Sequence, residues 1–283
     1  SGVAMAVKPT VAPTGMPWII AHAVNPKITM PVNEKGSIFH GVPAGPAYGS
    51  TMGRFVMSKP DTKRVAVIAH TNDWAKSYCS PAIDAIKEAG GVIVADLAME
   101  RGQTDSTAQV LKLKQAQPDF ILGCLYEAET VIFLRDAKKY GLKTPVMGTA
   151  GTDLENTLAR LGDKEAVKNY YVLHAFVDKV DGPKMKKWND IILKYYPDET
   201  ITGFSAISMA SGVAAVKALE AAGRDLSRTK MIAELEKING LTTGILACDI
   251  TWTPTDRHGC KKSAVAGFVD GEPTVLSAWG KAW

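Results

Sequence analysis

Strand-sized apolar runs alternate with longer segments of helical spacing through the middle of this 283-residue chain. The runs predicted as strands are Arg64–Ala69, Val92–Leu97, Phe120–Cys124, Val146–Gly148 and Tyr170–His174. The segments predicted as helices between them are Asp73–Ala89, Ser106–Gln115, Glu127–Tyr140 and one opened by the capping-box pattern Thr152–Glu155. Parallel strands need crossover connections, which are almost always right-handed. The alternation therefore predicts an α/β fold with a parallel sheet covered by helices on both faces.

The alternation of strands and helices does not continue at the two ends of the chain. Three further helices are predicted after residue 174: Lys184–Tyr195, Gly203–Ala222 and Ser227–Ile238. From Gly244 onward the pattern predicts antiparallel strands, with turns at Thr253-Pro254 and Asp270-Gly271. At the start, a predicted helix Val3–Val11 precedes the predicted strand Trp18–Ala21. An α/β domain rarely opens on a helix with no strand to pack against, so we expect the first strands of this domain to lie outside this sequence.

Charge and hydropathy exclude two classes of partner. The chain has 33 basic and 29 acidic residues, a net charge of +4 without charge blocks. So small and diffuse a surplus argues against nucleic acid and against an anionic membrane surface as partners. No apolar run approaches the roughly 18–20 residues of a membrane span, so no membrane insertion is predicted. The opening residues, Ser1 to Val7, lack a basic region and a cleavage site, and we expect any secretory signal to have been removed.

Sequence signatures of catalysis are absent. The turn after Arg64–Ala69 is His70–Trp74, which has no glycine to cradle a phosphate. The P-loop, G-x-S-x-G and H-E-x-x-H patterns do not occur. Five histidines are scattered without metal-ligand spacing, and His258-Gly259-Cys260 is better explained as a turn than as a metal site. We therefore expect no enzyme, no cofactor and no metal.

Four cysteines leave two interpretations open. None is spaced as Cys-x-x-Cys, which argues against a zinc ribbon or a thioredoxin-type site. Cys248 and Cys260 lie 12 residues apart in a turn-rich segment and could meet in a disulfide across a hairpin. The alternative is two half-buried thiols. Four cysteines in a chain of this length do not decide the redox compartment.

Aromatic, hydroxyl and small residues follow four of the predicted strands. Trp74 follows Arg64–Ala69 and Tyr126 follows Phe120–Cys124, while Thr149 and Ala150 follow the strand at 146–148. His22, Ala23 and Val24 follow the strand that begins at Trp18. In open α/β sheets the ligand crevice lies at the carboxyl ends of the strands, so these residues are candidate ligand contacts. Any one of the aromatic rings could equally serve packing alone.

Five segments, in the same order and at similar separations, resemble the periplasmic leucine/isoleucine/valine-binding proteins. Residues 64–77 resemble that family's strand ending in an Asp-Tyr-Gly-like turn. Residues 118–123 and 133–148 resemble it without gaps. Residues 23–29 resemble its Ala-Thr-Asn-Pro-x-x-Thr loop, and residues 203–223 its Tyr/Ala-rich helix. The chain is thus similar to the type I solute-binding proteins of branched-chain amino-acid-type ABC importers.

The resemblance implies a type I periplasmic binding protein with two Rossmann-like lobes. Lobe 1 would comprise residues 1–45 and 176–262, without its N-terminal strands, and lobe 2 residues 46–175 and 263–283. Three hinge crossings are expected near Gly41–Gly45, Ala175–Val177 and Lys261–Ala264, with the ligand trapped in the interlobe cleft on closure. The resemblance further implies a periplasmic, monomeric protein that delivers a small-molecule ligand to the membrane permease of an ABC importer.

The family's contact positions can be matched one at a time. Its carboxylate-binding serine matches Ser1, at the start of a helix that suits an anion. The small residue and threonine of its second loop match Ala23 and Val24, so that hydroxyl is absent. Its two tyrosines match Trp74 and Tyr126. We also expect His22, Thr149 and Phe204 to line the site.

The most consequential departure from the family lies at Ala150. The resemblance places there the acidic residue that receives the amino group of an amino-acid ligand. A buried ammonium without a carboxylate partner would cost several kcal/mol. The sequence therefore favours an aromatic carboxylate, such as a hydroxybenzoate or hydroxycinnamate. An aliphatic ligand (a branched-chain amino acid, an amide or urea) with the same transport role, and a cytoplasmic sensor or enzyme on the same fold, remain as alternatives.

Trp74 provides the test of this site. If its ring contacts the ligand from a crevice, Trp74→Ala should weaken binding more than tenfold and leave the fold intact. If Trp74 only fills the surface of its helix, the same variant should lose stability and keep its affinity.

Overall fold

The computed structural model describes residues 1–179, 182–199, 201–276 and 280–281. The strands in chain order are β1 (Trp18–Ile20), β2 (Ile38–His40), β3 (Arg64–Ala69), β4 (Val92–Ala98), β5 (Phe120–Cys124), β6 (Val146–Met147), β7 (Tyr170–His174), β8 (Lys262–Val269), β9 (Glu272–Val275) and β10 (Gly280–Lys281). The α-helices are α1 (Gly2–Val11), α2 (Gly45–Met57), α3 (Asp73–Glu88), α4 (Thr107–Ala116), α5 (Glu127–Lys139), α6 (Leu154–Leu161), α7 (Lys164–Val167), α8 (Lys186–Tyr195), α9 (Gly203–Ala222) and α10 (Arg228–Glu236).

The chain divides into two compact units. Unit 1 comprises Ser1–Gly45 and Ala175–Lys262, and unit 2 comprises Pro46–His174 and Ser263–Trp283. The chain passes between them after residues 45, 174 and 262. Ala175, which we expected in the second lobe, belongs to unit 1, because its carbonyl accepts a hydrogen bond from the Ala247 N–H at 3.0 Å and its side chain lies in the core of that unit.

Unit 2 is built on the predicted parallel sheet. Its strand order is β10-β8-β7-β6-β5-β3-β4, with β9 paired to β8. Strands β4, β3, β5, β6 and β7 pair in parallel, and β7–β8 and β8–β9 are antiparallel. Strand β5 is buried on both faces, as expected for a central strand under helices on either side. The five parallel strands thus carry their carboxyl ends to one edge.

The described part of unit 1 has a small sheet and a large helical core. Strands β1 and β2 pair in parallel, with Trp18 opposite Ile38. Helix α9 is long and apolar enough to cross a membrane by length and composition. Seven of its 20 residues are buried, and among them Ala206, Ala210 and Ala214 lie fully buried in the core of the unit, so one face of the helix packs inward.

The predicted strands of the tail form only in part. The Asp270-Gly271 turn joins β8 to β9, and both residues have positive φ (51° and 79°), as a two-residue hairpin turn requires. The ladder begins at Lys262, however, and the prediction of paired strands from Gly244 is wrong. Between residues 244 and 261 the described backbone forms only single bridges. A disulfide, Cys248–Cys260, closes this segment instead, which decides the alternative left open above.

The predicted capping box at Thr152 is also wrong. The residue that caps α6 is Asp153, whose carboxylate accepts from the Asn156 N–H at 2.6 Å. The Thr152 hydroxyl pairs with the Tyr170 hydroxyl at 2.7 Å and donates to the Thr149 carbonyl at 3.1 Å. These bonds fold the chain after β6 into a tight turn, so the helix begins one residue later than the pattern predicts.

Candidate functional site

The strand ends of unit 2 gather several of the predicted residues. The segment after β3 carries Trp74 on the first turn of α3, which is capped by Asn72. Tyr126 follows the neighbouring strand β5 and is the N-cap residue of α5, and Ala150 follows β6. Because β3, β5 and β6 are adjacent and parallel, these residues lie along one edge of the sheet.

Trp74 and Tyr126 form a stacked pair. Their ring centroids are 4.2 Å apart at an interplanar angle of 27°. The indole of Trp74 is 6% exposed and also lies against the ring of Tyr78 at 5.2 Å. The indole also lies against Gly151. A Cβ at that position would be 2.7 Å from the indole, so the absence of a side chain leaves room for the Trp74 ring. Trp74 is therefore packed within unit 2, and a truncation that leaves stability unchanged is no longer expected.

His70 holds the backbone beside this pair through hydrogen bonds, a role that no sequence pattern indicates. Its backbone N–H donates to the Cys124 carbonyl at 3.1 Å. Its Nδ1–H donates to the Met99 carbonyl at 2.7 Å, and its Nε2 accepts from the Tyr126 N–H at 3.1 Å. The Glu129 carboxylate lies 3.4 Å from the same Nε2. His70 thereby ties the ends of β3, β4 and β5 together.

The turn after β6 presents a methyl group. Thr149 is fully buried and its hydroxyl accepts from the Gly151 N–H at 3.1 Å, which gives it a turn-stabilising role. Ala150 is partly exposed. The sequence predicts both residues in the ligand site, and of the two only Ala150 has exposed surface to offer a ligand.

Two carboxylates near this edge are engaged by their own neighbours. Glu127 accepts from the Thr157 hydroxyl at 2.8 Å and from the Asp153 N–H at 3.3 Å. Burial outweighs these bonds and raises the pKa of Glu127 to about 7. Glu129 accepts from the Gly102 N–H at 2.8 Å and is buried.

A cation stands beside the stacked pair. The Arg101 guanidinium lies 5.7 Å from the ring centroid of Tyr126, within cation–π distance. The side chain is exposed, and among the residues that the structure describes it forms no ion pair. Burial raises the pKa of the Tyr126 phenol, which stays a neutral donor at physiological pH. No signal in the sequence marked Arg101.

In unit 1 the candidates Ser1 and the loop after β1 meet. Ser1 precedes the first turn of α1, and its hydroxyl accepts from the Asn25 N–H at 3.2 Å. The Ala23 carbonyl faces Nε2 of His40 at 2.6 Å, and burial lowers the pKa of that histidine to about 4. Val24 is buried, and its carbonyl accepts from the Gly45 N–H at 2.7 Å. The helix start and the loop are thus held together.

His22 and Phe204 lie side by side in the same unit. Their rings are 5.0 Å apart, and Nε2 of His22 is 2.8 Å from the Ser208 hydroxyl. Burial lowers the pKa of His22. The Phe204 ring is 47% exposed at the first turn of α9, so it offers an apolar surface next to an imidazole. Within the described residues, no group of histidine, cysteine and carboxylate side chains could hold a metal ion.

Comparison with known proteins identifies related sequences over part of their length. The profile of a family described as periplasmic binding protein matches residues 1–272. The Leu/Ile/Val-binding protein of Citrobacter freundii is 28% identical over 145 residues, which are 49% of this chain and 40% of that protein. The chain therefore aligns with less than half of the length of this relative.

Two solved structures share the fold. One is a branched-chain amino acid ABC transporter protein from Thermus thermophilus with bound valine (TM-score 0.89, 18% identity, 99% of this chain and 76% of that chain). The other is a solute-binding protein of an ABC transporter from R. palustris in complex with benzoate (TM-score 0.84, 17% identity, 100% and 75%). At these identities the likeness concerns the fold alone, and it confirms the predicted fold class.

Proposed function

The chain belongs to the periplasmic binding protein family, and from this we propose that it is an extracytoplasmic solute-binding protein that takes a small aromatic carboxylate for an ABC importer. It has the type I fold of that family. The proposed partner is the membrane permease of a branched-chain amino-acid-type importer, and the proposed state is a monomer. The proposed ligand contacts in unit 2 are the stacked rings of Trp74 and Tyr126 together with Ala150, and in unit 1 the start of α1 with the loop after β1.

The observation that carries the ligand class is the charge pattern around the stacked pair. Ala150 stands where the family resemblance places the acid that receives an ammonium group. The nearby carboxylates of Glu127 and Glu129 are bound to their own neighbours, while Arg101 stands beside the Tyr126 ring. An ammonium would therefore find neither Glu127 nor Glu129 free to receive it, whereas an anionic or electron-rich aromatic ligand would meet the Arg101 cation and the Tyr126 phenol.

The two disulfides support the extracytoplasmic location. Cys79–Cys124 and Cys248–Cys260 account for every cysteine of the chain. Structural disulfides persist in oxidising compartments and are rare in the cytoplasm. This argues against the alternative of a cytoplasmic sensor or enzyme.

A branched-chain amino acid remains the second candidate ligand. It is favoured by the relative from Citrobacter freundii, named a Leu/Ile/Val-binding protein, and by the Thermus thermophilus structure, which holds valine. The benzoate in the R. palustris protein shows that a protein of the same fold can hold an aromatic acid.

A ligand panel separates the two candidates. We expect 4-hydroxybenzoate or 4-hydroxycinnamate to raise the melting temperature, and leucine, isoleucine and valine to leave it unchanged. A ligand at 100 times its Kd stabilises the folded state by about 2.7 kcal/mol, well within the reach of a thermal-shift assay. Stabilisation by the amino acids alone would overturn the proposed ligand class.

The variant Ala150→Glu tests the site. Beside a bound carboxylate the new acid should repel the aromatic ligand, so we expect titration calorimetry to show at least tenfold weaker binding. Ala159→Glu, on the exposed side of α6, adds the same charge away from the strand ends and serves as control. Equal affinity of the two variants would contradict the assignment of Ala150. Trp74→Ala is less informative, because the buried indole also supports the fold.

A further inference from the structure

A disulfide that the sequence did not predict lies in unit 2, at the end of strand β5. Cys79 on α3 is bonded to Cys124, the last residue of β5. Cys79 is 6% exposed and Cys124 is fully buried. The bond joins a helix to a central strand across 45 residues of sequence.

The bond joins the two elements that carry the stacked aromatic rings. Trp74 lies five residues before Cys79 on the same helix, and Tyr126 lies two residues after Cys124. The rings of Trp74 and Tyr126 therefore belong to separate elements, and their contact depends on how α3 lies against the end of β5.

Hydrogen bonds hold Tyr126 to the sheet through its backbone and to the start of α3 through its side chain, which is hydrogen-bonded to the side chain of Asn72, the N-cap residue of that helix. The His70 N–H donates to the Cys124 carbonyl at 3.1 Å, and the Tyr126 N–H donates to the His70 ring at 3.1 Å, so the Tyr126 backbone is held to the sheet. Further along α3 the disulfide of Cys79 is a covalent bond to β5, and the rest of the helix is held by the packing of its buried side chains. Van der Waals contacts are individually weak, so packing resists a sliding of α3 along β5 less than the covalent bond does.

We propose that Cys79 and Cys124 are positioning residues for the ligand: their disulfide sets the distance between the Trp74 and Tyr126 rings, and breaking it impairs binding of an aromatic ligand before it unfolds the protein. This rests on the proposed function for the identity of the ligand. The spacing of the rings themselves can be measured without any ligand. The other disulfide, Cys248–Cys260, belongs to unit 1 and joins neither of these two elements.

The variant Cys79→Ala/Cys124→Ala is compared with Cys248→Ala/Cys260→Ala. The control pair is matched in burial, with one cysteine at 6% and one at 0% exposure in each bond. At a temperature where far-ultraviolet circular dichroism shows both variants folded, we expect at least tenfold weaker binding of 4-hydroxybenzoate in the first and less than a twofold change in the second. Equal affinity of the first variant and the unaltered chain, or equal losses in both variants, would overturn the proposal.

A ligand-free measurement keeps this test independent of the proposed function. Stacked indole and phenol rings give near-ultraviolet circular dichroism, and the part due to Trp74 is the difference from a Trp74→Phe variant. We expect that band to be lost in Cys79→Ala/Cys124→Ala and kept in the control. If 4-hydroxybenzoate fails to bind the unaltered chain while the band behaves as expected, the proposed ligand fails and the positioning role stands; a band that persists overturns the role.

If the double variant does not fold, reduction replaces it. In the Cys248→Ala/Cys260→Ala background a dithiol reductant such as dithiothreitol transfers two electrons and two protons to the remaining disulfide, giving two thiols and the cyclic disulfide of the reductant. We expect the Trp74 band to disappear as two thiols appear, while the far-ultraviolet circular dichroism stays that of the folded chain, and to return on reoxidation; loss of both signals together would overturn the proposal. A band unchanged after both thiols have formed would contradict the proposal.

Discussion

At the scale of single residues, Glu127 makes the stability of the folded chain depend on pH. Burial raises its pKa to about 7 from an ordinary value of 4.5, so between those values the folded chain holds a proton that the unfolded chain has released. The stabilisation from this uptake is fully present below pH 4.5 and is lost as pH rises through 7. Asp153, which also faces Glu127, adds to the effect and Arg160 opposes it.

We therefore expect the free energy of unfolding to fall between about pH 4.5 and 7 through this residue. Glu127→Gln cannot ionise and should flatten that part of the profile in urea denaturation. Glu88→Gln, an exposed carboxylate at the end of α3, is the control and should leave the slope as it is. The same slope in Glu127→Gln and the unaltered chain would show that folding does not raise the pKa of this residue.

The sequence predicts only those residues of the candidate site that a local pattern marks. Trp74, Tyr126 and Ala150 follow predicted strands, and the rule that ligands bind at carboxyl strand ends selects them. His70 and Arg101 act through neighbours that are distant in sequence, Tyr126 in both cases. Cys79 and Cys124 are 45 residues apart, and their pairing depends on how a helix lies on a strand. Such contacts are fixed by tertiary packing and leave no local pattern.

At the scale of elements, the βαβ alternation predicted β3 to β7 and four of the five helices between them, missing only the one-turn α7. Helix α2 was not predicted, because Gly49, Gly53 and other poor helix formers occupy it. The structure explains these glycines. A Cβ on Gly49 would overlap the Tyr78 carbonyl of α3, and a Cβ on Gly53 would lie 2.5 Å from the Ala82 carbonyl. Close packing of α2 on α3 has overridden helix propensity.

This close packing predicts that two Gly→Ala substitutions change the free energy of unfolding in opposite directions. Gly53→Ala gains helix propensity but forces the two helices apart, and we expect a net loss of roughly 1–3 kcal/mol in unfolding free energy. Gly212 lies in α9 with nothing within 4 Å of its added Cβ, so Gly212→Ala should stabilise by about 1 kcal/mol. Urea denaturation measures both. Stabilisation by Gly53→Ala would mean that α2 does not approach α3 so closely.

At the scale of the whole molecule, the four cysteines link fold and compartment. One disulfide lies in each unit, closing stretches of 45 and 12 residues. In the loop-entropy treatment such closures stabilise the folded state by about 4 and about 3 kcal/mol, a large share of the stability of an ordinary domain. A chain that depends on both bonds to this extent would be poorly suited to a reducing cytoplasm.

The corresponding prediction is a thiol count. Protein produced in an oxidising compartment and denatured in guanidinium should show no reactive thiol with Ellman's reagent, and four after reduction, since the chain has four cysteines. Its urea midpoint should fall sharply on reduction, and more from loss of Cys79–Cys124 than from loss of Cys248–Cys260, because the longer closed loop restricts the unfolded chain more. Two or four thiols before reduction would contradict the disulfide pairing and remove the argument that it makes for an extracytoplasmic protein.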